Sequence, residues 1–290
     1  LAMRTVTRLR DLLSHRGPED AGIWTVQTLD EHPCEAVLTH RRLAIVDPEH
    51  GTQPWLLHDP DGRVRLALTY NGEVYNHLDL RRELMQRGHR FRTSCDTETV
   101  IHALDEWGTE AVSRFRGMFA LAAYWPRRHA LILARDAFGI KPLYYASASG
   151  RWGPEVVFGS ELPPLLEHPG VQRQPDWVTA SAYLTTIRPT LGPRTMYEGI
   201  RTVEPGTLVE VDTGSMEPEL SVHRWHRPSA AGEAEMADPR EVARVVSEAV
   251  SAHGLGDVPI ATLLSGGLDS AIITACVAER LSARDRRTYC

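Results

Sequence analysis

Between residues 261 and 275 the chain reads ATLLSGGLDSAIITA, a combination of residue types suited to holding a phosphate. Gly266 and Gly267 carry no Cβ, so the backbone can bend sharply there and come close to an anion. Ser265 and Ser270 add hydroxyl donors, and the first N–H groups of a following helix are unpaired and carry the positive end of its dipole. Asp269 is the natural carboxylate for a magnesium ion accompanying that phosphate. No Lys follows the glycines and no third glycine completes a GxGxxG pattern, so two common phosphate motifs are excluded. Taken alone, SGGLDS reads equally well as a strand, a tight turn and a helix that bind nothing.

Four stretches nearer the start combine polar groups in ways that neither a core nor a surface requires: HRGPEDAG (15–22), HRRLAIVD (40–47), NGEVYN (71–76) and RDAFGIKPLYY (135–145). A guanidinium such as that of Arg42 suits a carboxylate, because two parallel charge-assisted hydrogen bonds fix its orientation. Spacing alone favours a solvated strand arginine. The Asn71-Gly72 pair after an alternating strand is first of all a hairpin-turn signal. Asp96, just before TETVIHAL, reads as a helix N-cap.

The elements that must position these groups follow from periodicity. From about 23 to 226 the chain is mostly short strands with polar turns, among them AVLTHRRLAIV, VRLALTYNGEVYN, MFALAAY and ALILARD. Such a series predicts antiparallel sheets. Helical patterns interrupt it at 77–88, 96–107, 160–168 and 176–184, and another opens the chain around Met3, Val6 and Leu9. The fold class is therefore α+β, in layers. Residues 226–240, HRPSAAGEAEMADPR, have no apolar period and read as a linker. After it come an amphipathic helix (EVARVVSEAVSAH), a strand at 259–264, the glycine loop and a helix starting near Ser270. That series is the first unit of an α/β doubly wound parallel sheet. The expected domains are 1–226 and 227–290.

With 290 residues, 42% hydrophobic and 24% charged, the composition is that of a globular protein with room for two domains. A net charge of −6 with arginines scattered in short pairs offers no basic stripe for nucleic acid. The apolar runs are far short of the roughly 20 residues that a membrane span needs. Cys34, Cys95, Cys276 and Cys290 are isolated, which predicts reduced thiols and a cytoplasmic location.

The four stretches, together with CDTET (95–99), RGMFA (116–120), SEL (160–162) and SGGLDS, closely resemble the glutamine-dependent asparagine synthetases. The resemblance implies an N-terminal-nucleophile glutaminase domain, a four-layer αββα sandwich of two antiparallel sheets, joined to an ATP-pyrophosphatase domain. It implies that glutamine is hydrolysed and that the ammonia travels inside the protein to a β-aspartyl adenylate made from ATP and aspartate. The products would be asparagine, glutamate, AMP and pyrophosphate. In that pattern Arg42 takes the glutamine α-carboxylate, Ile45 and Val46 line the same pocket, and Asp96 takes the α-ammonium. Asn71 and Gly72 form an oxyanion hole, with Glu73 beside them. The pyrophosphate of ATP goes to Ser265, Gly266, Gly267, Leu268, Asp269 and Ser270, with Leu264 near the nucleotide. A homodimer is compatible with this reading, which calls for neither a nucleic acid nor a membrane.

Two departures stand out. The family's nucleophile is a Cys exposed at the chain start, whose free α-amine serves as base. This sequence starts at Leu1, within what matches a later helix, and both ends read as cut. Ala271 stands where the family usually has a further Ser. Relatives that amidate other carboxylates, and β-lactam synthetases whose glutaminase half is inactive, are the alternatives.

Overall fold

The structure, a computed structural model, describes residues 2–27, 35–44, 47, 50–150, 153–215, 217–228, 238–254, 259–279 and 287–290. The chain divides into two compact units, Leu1–Ala44 with Gly51–Arg227, and Ile45–His50 with Pro228–Cys290. Along the first run α1 (Met3–Asp11), β1 (Asp20–Gln27), β2 (Glu35–Arg42), β3 (Trp55–His58), β4 (Val64–Val74), α2 (His77–Gln86), α3 (Asp96–Trp107), α4 (Ala111–Arg114), β5 (Gly117–Trp125) and β6 (Ala130–Arg135). Then follow β7 (Tyr144–Gly150), β8 (Gly153–Gly159), α5 (Leu162–Leu166), α6 (Trp177–Thr186), β9 (Ile200–Thr202), β10 (Thr207–Asp212) and β11 (Glu219–Arg224).

Strand alternation builds the layers, because successive side chains point to opposite faces. In the sheet β11-β10-β6-β5-β4-β3, Leu66, Leu68, Tyr70 and Val74 of β4 face one way, into a core closed by Leu80 and Leu84 of α2 and by Val100, Ile101 and Leu104 of α3. Ala67, Ala120, Ala122 and Leu133 face the other way, against Leu38 of β2 and Tyr145 of β7. The second sheet layer comes in two described pieces, β1-β2 and β8-β7-β9. Behind the latter a third cluster unites Ala146, Ala148 and Ile200 with Leu165 of α5. The order helix, sheet, sheet, helix is the αββα sandwich, with every pairing in it antiparallel.

The expected helices over 77–88, 96–107, 160–168 and 176–184 are found as α2, α3, α5 and α6. Gly88, with φ of 96°, ends α2 in the left-handed region that a glycine tolerates. Strands β3, β9 and β11 carry no such signal in the sequence. The first two are 4 and 3 residues long, and β11 is exposed at every position, so burial imposes no alternation on it.

The second unit contains α7 (Pro239–His253), β12 (Ala261–Leu263), α8 (Leu268–Ala278) and β13 (Arg287–Tyr289). Strands β12 and β13 are parallel, Ala261 opposite Arg287 and Leu263 opposite Tyr289. Parallel neighbours need a crossover between them, and α8 lies in that crossover. Among the described residues no helix is long and apolar enough to cross a membrane.

Candidate active site

The arginine pair at the end of β2 is split by the pleat. Arg41 turns to the opposite face, donating from Nε to Gly17 O at 2.8 Å and from Nη2 to Pro18 O at 3.3 Å. Arg42 turns inward and is 8% exposed. It is therefore not the solvated strand arginine that spacing alone favours. A Cβ at Gly51 would stand 2.1 Å from Arg42 Nη2, so the glycine makes room for the guanidinium.

His40, two residues back on the same face, has Nδ1 at 3.0 Å from Thr69 Oγ1, whose hydroxyl donates to Thr39 O at 3.3 Å. Burial, reinforced by the Arg42 charge, pushes the imidazole down to about 4. On α3, His102 is also pushed down to about 4, first by burial and then by His89, whose Nδ1 lies 3.0 Å from its own. An unfolded histidine titrates near 6.5, so between about pH 6.5 and 4 the unfolded chain holds more protons than the folded one. Stability therefore falls as pH drops through that window, by up to about 1.4 kcal/mol per pH unit for His40. Melting temperatures taken from pH 7 to 4.5 check this, and His40→Gln is expected to make the decline shallower.

Asn71, Gly72 and Glu73 do not open a turn. They lie within β4, opposite Ala120, Phe119 and Met118 of β5. The hairpin reading fails because β5 pairs with β4 all the way to Val74, which leaves the Asn-Gly pair no room to reverse the chain. Gly72 is required by close approach instead, since a Cβ there would meet Met118 O at 2.1 Å. The Asn71 amide nitrogen is buried and has no hydrogen-bond partner. An unmet buried donor costs about 1–3 kcal/mol, which leaves this amide available to an incoming acceptor.

Asp96 opens α3 as its first residue and caps nothing; the N-cap is Cys95 and makes no side-chain cap bond. The N-cap expectation fails because the carboxylate is drawn to β4. Its Oδ2 accepts from Tyr70 Oη at 2.8 Å and from Val74 N at 3.0 Å. The Cys95 thiol lies 3.8 Å from Asp96 Oδ1 and 3.4 Å from Thr97 Oγ1. Burial, followed by the Asp96 charge, raises that thiol's pKa, while the positive field of Arg42 works in the opposite direction. Arg42 and Asp96 thus both act on Cys95, which brings a guanidinium and a carboxylate from two separate segments to one neighbourhood. Ile45 and Val46 lie outside the described residues, as does Cys34.

The RDAFGIKP segment shapes the loop after β6. Asp136 is 0% exposed and accepts four backbone N–H groups, those of Phe119, Phe138, Ile140 and Lys141, at 3.0 to 3.1 Å. Arg135 donates to the carbonyls of Lys141, Gly139 and Val203 and to Thr202 Oγ1 at 2.7 to 3.0 Å. Neither role is spelled by the sequence: Asp136 and Arg135 join near neighbours in the loop to Phe119, Thr202 and Val203, which lie 17 to 68 residues away. The Asp-x-x-Gly order of a tight loop was the one available signal.

In the second unit the glycine loop joins β12 to α8, which starts at Leu268, two residues earlier than Ser270. Gly266 has φ of 80°, a conformation that disfavours any Cβ. Gly267 is the N-cap and offers no side-chain acceptor to the first helical N–H groups. The Ser270 hydroxyl donates to Gly267 O at 2.9 Å and lies 3.1 Å from Ser265 Oγ. Leu264 pairs through its N–H with Tyr289 O at 2.8 Å. Asp269 is exposed in the first turn of α8. Among the described residues no three His, Cys, Asp or Glu side chains cluster as a metal site. A lone carboxylate is compatible with magnesium, which takes one or two carboxylates together with phosphate oxygens.

The sandwich and its inward-facing polar groups define a class of protein. The profile of the glutamine amidotransferase domain matches residues 2–225, and the chain belongs to that family. The asparagine synthase profile matches residues 241–290. The glutamine-hydrolysing asparagine synthetase 3 of Bacillus subtilis (strain 168) is 34% identical over 278 residues, which is 95% of this chain and 42% of that protein. Asparagine synthetase 2 of Oryza sativa subsp. japonica is 32% identical over 288 residues, 97% of this chain and 40% of that one. The chain thus spans about two-fifths of the length of these relatives. Among solved structures, the glutamine phosphoribosylpyrophosphate amidotransferase of B. subtilis superposes with a TM-score of 0.50 at 19% identity, covering 98% of this chain and 62% of that one. At such identity the likeness is one of fold.

Proposed function

We propose that residues 1–226 form a glutaminase domain and residues 227–290 the start of an ATP-using synthetase domain. The intact protein is then a glutamine-hydrolysing asparagine synthetase of the cytoplasm. The observation that carries the reading is the buried, unpartnered amide nitrogen of Asn71. Placed beside the Gly72 N–H, it is a donor held ready for the oxygen that becomes negative when a nucleophile attacks the glutamine amide. Arg42 holds the α-carboxylate, Asp96 the α-ammonium, and Glu73 contacts glutamine alongside, with Ile45 and Val46 as further lining. Asn71 and Gly72 are the catalytic pair among these residues. No described cysteine lies at a chain start, and the buried Cys95, its pKa raised, is unsuited to attack.

In the synthetase half, Ser265, Gly266, Gly267, Leu268, Asp269 and Ser270 hold the pyrophosphate of ATP, with Leu264 next to the nucleotide. Asp269 holds magnesium, which would supply charge neutralisation between phosphate oxygens. The carboxylate acceptor is aspartate, by likeness to the named relatives. The intact protein is expected to release glutamate from glutamine, and AMP and pyrophosphate from ATP only when aspartate is present. Glutamate release without any aspartate-dependent AMP would assign the synthetase half to another acceptor. Absence of glutamate release would end the glutaminase reading.

Gly51→Ala gives a test that leaves every proposed ligand residue in place and acts on one of them, Arg42, from outside. The added methyl would overlap the Arg42 guanidinium, the movable end of a side chain, and so displaces it without forcing the backbone apart. The variant is expected to raise the KM for glutamine by about tenfold or more, since a hydrogen bond to a charged group contributes about 1.5–3 kcal/mol. Turnover at saturating glutamine should stay near that of the parent, as for loss of uniform binding.

A further inference from the structure

We infer that Tyr70 is a positioning residue for the ammonium-binding carboxylate and that Asp96 Oδ1, not Oδ2, is the oxygen that receives the α-ammonium of glutamine. This inference rests on the glutaminase reading given above.

Tyr70 immediately precedes Asn71 on β4, so its side chain points to the opposite face, toward α3. There it is 3% exposed, and its hydroxyl donates to Asp96 Oδ2 at 2.8 Å. Because Val74 N donates to the same oxygen at 3.0 Å, Oδ2 is occupied by two strong donors. Among the described residues Oδ1 has only the thiol contact at 3.8 Å, and sulfur is a weak donor. The carboxylate thus spends one oxygen on the scaffold and presents the other. Burial, and next the Asp96 charge, raise the Tyr70 phenol well above its ordinary value, so it remains a donor at any pH at which the protein works.

The tyrosine is itself clamped. Gln53, 7% exposed, donates from Nε2 to Tyr70 O at 3.0 Å and accepts from Tyr70 N at 2.7 Å. This clamp holds the backbone one residue before Asn71, while the ring holds Asp96. One residue therefore ties the oxyanion donor to the carboxylate that anchors the other end of the substrate. The consequence is specificity for a free α-amino group, because an Asp96 that can rotate no longer distinguishes an ammonium from a hydrogen.

The test compares Tyr70→Phe with the parent in the intact protein, using two substrates: glutamine and 4-carbamoylbutanoate, which is glutamine without its α-ammonium. Ammonia release is measured for both. The parent is expected to prefer glutamine strongly. Tyr70→Phe should raise the KM for glutamine about tenfold, the equivalent of losing one hydrogen bond to a charged group. It should leave kcat within about twofold and leave kcat/KM for 4-carbamoylbutanoate unchanged. Melting temperature and AMP formation with ammonia as nitrogen source report on the fold of the variant. A KM for glutamine that does not move, or an equal loss on both substrates, overturns the assignment and leaves the glutaminase reading intact. A parent that releases no ammonia from glutamine overturns both.

Discussion

Asn71→Ala is expected to lower glutaminase turnover of the intact protein by about 10²- to 10³-fold, the range found when one preorganised oxyanion donor is removed, about 2.7–4 kcal/mol. The effect should fall on kcat, because the donor is aimed at a charge that exists only once the amide carbonyl has been attacked. The same substitution should not cost stability. The Asn71 amide nitrogen has no partner among the described residues, so alanine removes an unmet donor and breaks no hydrogen bond to them. A melting temperature that holds or rises, together with a kcat that collapses, is the signature of a group kept for chemistry. Release of glutamate at the parent rate would remove Asn71 from the mechanism.

Asp136→Ala is expected to act in the opposite way, on the fold first. Its carboxylate is fully buried, and the N–H groups of Phe119, Phe138, Ile140 and Lys141 all converge on it. Alanine leaves four donors without an acceptor, each costing about 1–3 kcal/mol until the loop loosens enough to admit water. A loss of about 3–5 kcal/mol follows, comparable to breaking a buried charged pair. For a unit of this size it corresponds to a drop in melting temperature of roughly 6–20 °C. Asp136→Asn should rescue only in part, because an amide presents hydrogens where one oxygen accepted from two N–H groups. A melting temperature for Asp136→Ala within 2 °C of the parent, about the shift that 1 kcal/mol brings in a unit of this size, would show that the loop holds itself together without the carboxylate.

Much of the fold was legible because it depends on periodicity. The alternation in VRLALTYNGEV reports which residues are inside, and α3 over 96–107 is found where the apolar spacing places it. Strand β11 was not legible, since an exposed strand is under no pressure to alternate. The strand, glycine turn and helix around SGGLDS were readable because their parts are adjacent in the chain. The local settings of Asn71 and Asp96 were not legible, since the turn and the cap that each residue type favours were outweighed by partners far away in the sequence.

What the sequence by itself determined, then, is whatever contiguous residues decide: the helices, the buried strands, the glycine turn and the order of motifs that marks the family. Only the tertiary structure decided which way each polar group points. Arg41 and Arg42 are chemically identical neighbours, and it is the pleat of β2 and the empty space at Gly51 that send one to the carbonyls of Gly17 and Pro18 and the other to the opposite face. Likewise, nothing in CDTET says that one oxygen of Asp96 is held by a tyrosine 26 residues earlier. The physical reason is that local propensity depends on neighbours along the chain, whereas burial and hydrogen bonding depend on whatever the packed layers bring together.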